Sequence, residues 1–254
     1  MEQPEPGPRL RGKRAVVTGG AGGIGAAVGR RLAAAGADVV LVDLAESSVV
    51  ETARRIGAEP VVADLTEPEQ AERIGAGADV VVNNAGFHHV APLHEFPPEE
   101  FSRILAVLLE SPFRTVRAAL PAMYERGWGR VINVSSVHGL RAAPNWGASV
   151  AAKHGLEGLS KTIALEAAGR GVTSNCLCPG YVRTPLVERH VAEQAVRRRV
   201  SREEVVEDVL LAHTPVKRLV EPDEVASLAM WLCGPGTASV TGASFPVDGG
   251  WTAQ

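Results

Sequence analysis

Tyrosine occurs only twice in this chain of 254 residues, at positions 124 and 181, so a reaction that needs a phenol has two candidates. Cysteine is nearly as scarce. Cys176, Cys178 and Cys233 form an odd set without a disulfide framework, which argues for a reducing compartment. Cys176-x-Cys178 is neither a zinc nor a redox spacing and falls at an apolar strand end, so both read as core residues. There is no surplus of one charge either: the formal net charge is −3 and the signs are mixed, which speaks against a nucleic-acid surface. The densest basic run, Arg197-Arg198-Arg199, is answered by Glu203, Glu204, Glu207 and Asp208 and reads as a solvated helix face. No run is apolar enough to span a membrane. Residues 1–12 are rich in Pro and Glu without the apolar centre of a secretory signal, and read as a disordered tail. A cytoplasmic protein with no membrane and no nucleic-acid partner is expected.

What is present is a single alternating pattern. The chain is 45% hydrophobic, enough for one large core. Short β-branched runs at Arg14–Thr18, Asp38–Asp43, 61–63, 79–83, 130–134, 172–177 and 243–247 read as seven strands. Helical patterns lie between them, after the first strand to about Ala35 and near 48–56, 99–125, 147–168 and 222–233. The alternation predicts one α/β domain over residues 13–254: a doubly wound parallel Rossmann sheet with helices on both faces. The charged segment 185–213 precedes the final helix and reads as a mobile substrate lid.

The first strand runs into Thr18-Gly19-Gly20-Ala21-Gly22-Gly23-Ile24-Gly25. Glycines there permit a sharp turn and close approach of a pyrophosphate, which the following helix meets with unpaired N–H groups and its positive dipole end. Strand and helix flank the run as that role requires. The second strand ends on Asp43, which can accept the ribose hydroxyls and would repel a 2′-phosphate, and no Lys or Arg follows at once. NAD(H) is therefore the expected cofactor.

The spacing Thr-Gly-x-x-x-Gly-Ile-Gly over residues 18–25 resembles the short-chain dehydrogenase/reductase family, and the resemblance extends over about residues 10–254. Asp64-Leu65 matches its adenine-contacting pair, and Asn83-Asn84-Ala85-Gly86 the motif that supports the cofactor after the fourth strand. Pro179-Gly180-Tyr181-Val182-Arg183-Thr184 matches the stretch that contacts the nicotinamide carboxamide. Within the family, the segments 137–140, 151–155, 182–188 and 248–254 resemble the D-3-hydroxybutyrate dehydrogenases. The resemblance implies that Thr18, Gly19, Gly23, Ile24, Gly25, Asp43, Asp64, Leu65, Asn83, Ala85, Gly86, Lys153, Pro179, Gly180, Val182 and Thr184 hold the cofactor. It also implies a homotetramer and a small-molecule hydroxy or keto substrate.

The catalytic set departs from the family's Asn, Ser, Tyr and Lys. Ser136 and Lys153 match, but Ser149 stands where the resemblance places Tyr, and Leu108 where it places Asn. A phenol titrates near ~10 and can be lowered by a neighbouring ammonium; an aliphatic hydroxyl is far harder to ionise, and Ser is shorter by roughly one ring. The substrate residues differ in step. His138 is retained, His88 and His190 replace Gln, and Trp146 replaces a Lys that would pair with a carboxylate. A larger, aromatic or less anionic substrate suits Trp146 better. By the same mapping His88, His138 and His190 converge on one pocket, to hydrogen-bond substrate or move a proton rather than hold a metal. Tyr181 either walls that pocket or presents a phenol from the other side; His89, His94, His154 and His213 read as surface or structural residues.

Three functions stay open at this point. The chain is an oxidoreductase in which His138, His88 or a water held by Ser149 replaces the Tyr. Or it is a non-redox lyase, dehydratase or cyclase, or a catalytically silent NAD(H)-binding subunit.

Overall fold

The computed structural model describes residues 10–253. Seven parallel strands form one sheet among them, in the order β3-β2-β1-β4-β5-β6-β7. They are β1 (Arg14–Thr18), β2 (Asp38–Asp43), β3 (Glu59–Val62), β4 (Val80–Asn83), β5 (Gly129–Val134), β6 (Val172–Pro179) and β7 (Ser244–Val247). The β-branched runs are nearly continuous in the central strands because these are covered on both faces. Val16, Val40, Val81 and Val131 feed one core, while Val17, Leu41, Val82 and Ile132 feed the other. The chain builds outward from β1 to β3, then returns to lay β4 on the other side of β1. That reversal opens a crevice at the carboxyl ends of β1 and β4, where ligands of such sheets bind.

The helices are α1 (Gly23–Ala34), α2 (Val49–Ile56), α3 (Pro68–Gly75), α4 (Pro98–Leu105), α5 (Ser111–Arg126), α6 (Gly147–Ala167), α7 (Pro185–Arg198), α8 (Arg202–Glu204) and α9 (Pro222–Leu232). Proline in the first turn of α3, α4, α5, α7 and α9 starts each without wasting a donor. Two features differ from the sequence reading. α3 is an additional helix between β3 and β4. The expected 99–125 helix is interrupted by a π-helical turn, Ala106–Glu110, between α4 and α5.

The segment 185–213 folds as α7, α8 and a second π-helical turn, Val205–Leu210. Val191, Val205, Leu210 and Leu211 give it a small apolar cluster of its own, shared with Leu219. Of the expected tail over 1–12, residues 1–9 lie outside the described residues, and residue 10 is part of the fold. Leu10 is 2% exposed among the core residues around Leu32, and its N–H donates to the Ala35 carbonyl. Leu10→Ala is expected to lower unfolding free energy by about 2–4 kcal/mol, read from the urea midpoint at unchanged slope.

Candidate active site

The Gly-rich turn after β1 adopts its shape because glycine is required. Gly19 and Gly23 lie at φ +64° and +54°, and a Cβ on Gly19 would come within 2.8 Å of Ala85 Cα and Asn84 Nδ2. The turn is stitched to the end of β4. Thr18 Oγ1 accepts from the N–H groups of Asn84 and Ala85 at 2.9 and 3.0 Å, and Asn84 Nδ2 donates to the carbonyls of Thr18 and Gly19. The turn then delivers α1 with no side-chain cap and no acidic residue in its first turn. Such an N-terminus leaves backbone donors and a positive dipole end for an anion. The residues therefore fit the pyrophosphate of a dinucleotide.

Asp43 ends β2 beside this turn. Its Oδ2 accepts from Ala21 N–H and its Oδ1 from Leu44 N–H, both at 2.9 Å. Further along the rim, Asp64 is exposed and caps its own turn through Thr66, while Leu65 is buried in the core. Ile24 packs against the core beneath α1. From the other side, β6 ends on Pro179, Gly180 lies against Asp248, Val182 is buried beside Val220, and Thr184 reaches the Gly-rich turn. The Thr184 side chain caps α7 and lies against Gly23, where a Cβ would meet Thr184 Cγ2 at 2.9 Å. Asn83 behaves differently from its neighbours: its side chain is buried and donates to Asn133 Oδ1 at 2.8 Å. Asn84, not singled out in the sequence, makes the contacts that hold the turn.

Ser136 follows β5, and its Oγ accepts from the His138 N–H at 3.1 Å. Lys153 on α6 donates from Nζ to the Val134 carbonyl at 2.6 Å, and burial pulls its pKa down to about 8. Ser149, one turn earlier on α6, is 7% exposed with an Oγ that is enclosed and without a hydrogen-bond partner. Leu108 lies in the π-helical turn among Ile104, Ala148 and Ala152, with Cδ2 so near Gly86 that a Cβ there would meet it at 2.8 Å.

Four rings gather beside this group. The Trp146 ring centroid lies 4.9 Å from that of His138, 5.1 Å from His88 and 5.7 Å from His190, and His88 lies 5.3 Å from His190. Burial lowers all three imidazoles, His88 and His138 to about 4, with neighbouring imidazoles adding to the shift on those two. They are neutral at pH 7. Among the described residues no cluster of three or more His, Cys, Asp or Glu is arranged to hold a metal ion. Tyr181 packs against the apolar cluster of the 185–213 segment, and burial raises its pKa. His89 and His94 meet Phe96 and Glu95, and His154 bonds the Val150 carbonyl.

Sequence reasoning also missed Glu157. It is 5% exposed one turn beyond Lys153, and its carboxylate accepts from Cys178 Sγ and Ser244 Oγ. Burial pushes the Cys176 thiol up to about 12 and raises that of Cys178 further, so both are inert core groups at neutral pH.

A family model described as enoyl-(acyl carrier protein) reductase matches residues 19–252. A D-β-hydroxybutyrate dehydrogenase of Rhizobium meliloti is 46% identical, over 95% of this chain and 99% of the relative. One from Cupriavidus necator is 40% identical, over 96% and 100%. The crystal structure of a Beutenbergia cavernae protein with NADP bound at low occupancy has TM-score 0.87 and 34% identity, covering 96% of this chain and 98% of its own. The chain belongs to the short-chain dehydrogenase/reductase family. It is an oxidoreductase of that type.

The neutral rings give an acid-stability prediction. His88 and His138 have folded pKa values near 4, below the unfolded ~6.5, so the unfolded chain binds more protons between those values. Stability is complete above about pH 6.5 and falls as pH drops towards 4. The double variant His88→Gln/His138→Gln is expected to flatten that dependence, measured as urea midpoint against pH.

Proposed function

We propose that this chain is an NAD(H)-dependent dehydrogenase or reductase of a hydroxy or keto small molecule, working without a catalytic phenol. The observation that carries the cofactor half is the uncapped N-terminus of α1 behind the Gly-rich turn, with Asp43 beside it. Asp43 favours NAD(H), because a carboxylate at the end of β2 accepts ribose hydroxyls and repels a 2′-phosphate. The related structure that carries NADP makes this a choice of this chain's own residues rather than of the family. When bound, the nicotinamide supplies or accepts the hydride.

The proton half rests on Lys153. The Ser149 hydroxyl is enclosed and makes no hydrogen bond, and His138 is too weak a base to be charged at pH 7. Lys153 has a proton affinity matched to neutral operation, and only one of its N–H bonds is used by Val134. We assign proton exchange with the substrate oxygen to Lys153, relayed by a water. Ser136 accepts from the His138 backbone, which leaves its own hydroxyl hydrogen free to donate to the substrate oxygen. The remaining finer readings, a homotetramer and a cytoplasmic location, belong to the same proposal.

The first test is fluorescence titration with NADH and NADPH. NADH is expected to bind at least tenfold tighter, and Asp43→Ser to erase the difference; tighter binding of NADPH by the native chain sinks the NAD assignment. The second is a pH profile. Alcohol oxidation needs neutral Lys153 and is expected to rise through about pH 8, while ketone reduction needs the ammonium and falls there. Lys153→Arg should move that limb upward; an unmoved limb would reassign the proton to another group. Ser149→Tyr is expected to raise turnover, showing that the phenol was the missing part.

A further inference from the structure

We propose that the box formed by Trp146, His88, His138 and His190 takes an uncharged, hydroxyl-rich substrate, a polyol or sugar, in preference to a carboxylate or a purely aromatic alcohol. This deepens the oxidoreductase reading above and rests on it for the reaction, though not for binding. The first support is unused hydrogen-bonding capacity. Among the described residues, none of the identified hydrogen bonds ends on a ring nitrogen of His88, His138 or His190, or on Trp146 Nε1. A neutral imidazole offers one donor and one acceptor, and a hydroxyl offers the same pair. Adjacent hydroxyls on one carbon skeleton therefore match several imidazoles at once, while the indole face covers the C–H side of that skeleton.

The alternatives fit worse. Each imidazole of the box is neutral at pH 7, so a carboxylate laid against the rings loses hydration without gaining a counter-charge from them. The charged groups that act on these imidazoles are Arg189, Glu193 and Arg198, all exposed on α7 and of both signs, with His89 and His154 beside them. An aryl alcohol would cover the indole but strip water from ring nitrogens it does not satisfy. Sites built to bond hydroxyls reject analogues that lack them.

The test uses the full chain without cofactor. Ligand-observed saturation-transfer NMR would follow myo-inositol, glucitol and glucose against 3-hydroxybutyrate and 1-phenylethanol. At least one of the uncharged polyols is expected to bind tenfold or more tightly than either comparator. His88→Leu and His190→Leu should each weaken that polyol about tenfold, equivalent to about 1.4 kcal/mol, whereas His88→Asn, which keeps a donor and an acceptor, should largely restore it. The proposal is overturned if 3-hydroxybutyrate or 1-phenylethanol binds tightest, if no polyol binds, or if His88→Leu binds like the native chain. A parallel NADH titration separates the two readings. Polyol binding without NADH binding removes the cofactor reading and keeps the box; NADH binding without polyol binding does the reverse.

Discussion

Two short segments far apart in sequence are tied by Thr18 and Asn84, and the candidate site depends on that tie. The Thr18 hydroxyl accepts from the backbone after β4, and the Asn84 amide donates to the backbone after β1. Together they tie the two sides of the crevice where the strand order reverses, and they spend buried polar groups on one another instead of leaving them unsatisfied. The Gly-rich turn is thereby held before any ligand arrives. Its glycines make the close approach sterically possible; the Thr–Asn bonds make it the resting state.

The same economy of charge runs through the rest of the site. Lys153 brings a cation into it, and burial has already weakened its hold on a proton. The imidazoles around Trp146 are neutral for the same reason. Around the rings the neighbourhood is polar without being charged, and the charge it does hold, on Lys153, can be given up near neutral pH. Glu157 is buried one turn away, and its two oxygens are taken up by Cys178 and Ser244. It supports the floor beneath α6 and does not face the ligand side through those bonds.

Much of this was legible in sequence because its causes are local or periodic. Strands covered on both faces must be apolar throughout, so Val39 to Val42 and Val80 to Val82 announce themselves. The Gly-rich turn needs left-handed backbone at Gly19 and Gly23, which few other residues allow. The grouping of His88, His138 and His190 was reached only through resemblance, since two connections and a helix far apart in sequence meet there. Other features had no local signal. A π-helical turn at 106–110 uses ordinary helix formers, and the choice between Asn83 and Asn84 is set by which way alternate strand residues point. Glu157 reads as a solvated helix residue until β7 is laid over it. Leu10 follows a Pro-rich stretch that gives no hint of burial.

The box has a further property that comes from where its walls originate. His88, His138 and Trp146 stand on loops and a helix start attached to the sheet, whereas His190 is carried by α7 in the helical segment with its own apolar cluster. A molecule held by all four rings therefore bridges two parts of the protein. Binding it and keeping those parts together are one free energy, so occupancy acts as a thermodynamic staple across the cleft. The proteolytic resistance of α7 then becomes a gauge of what the pocket contains.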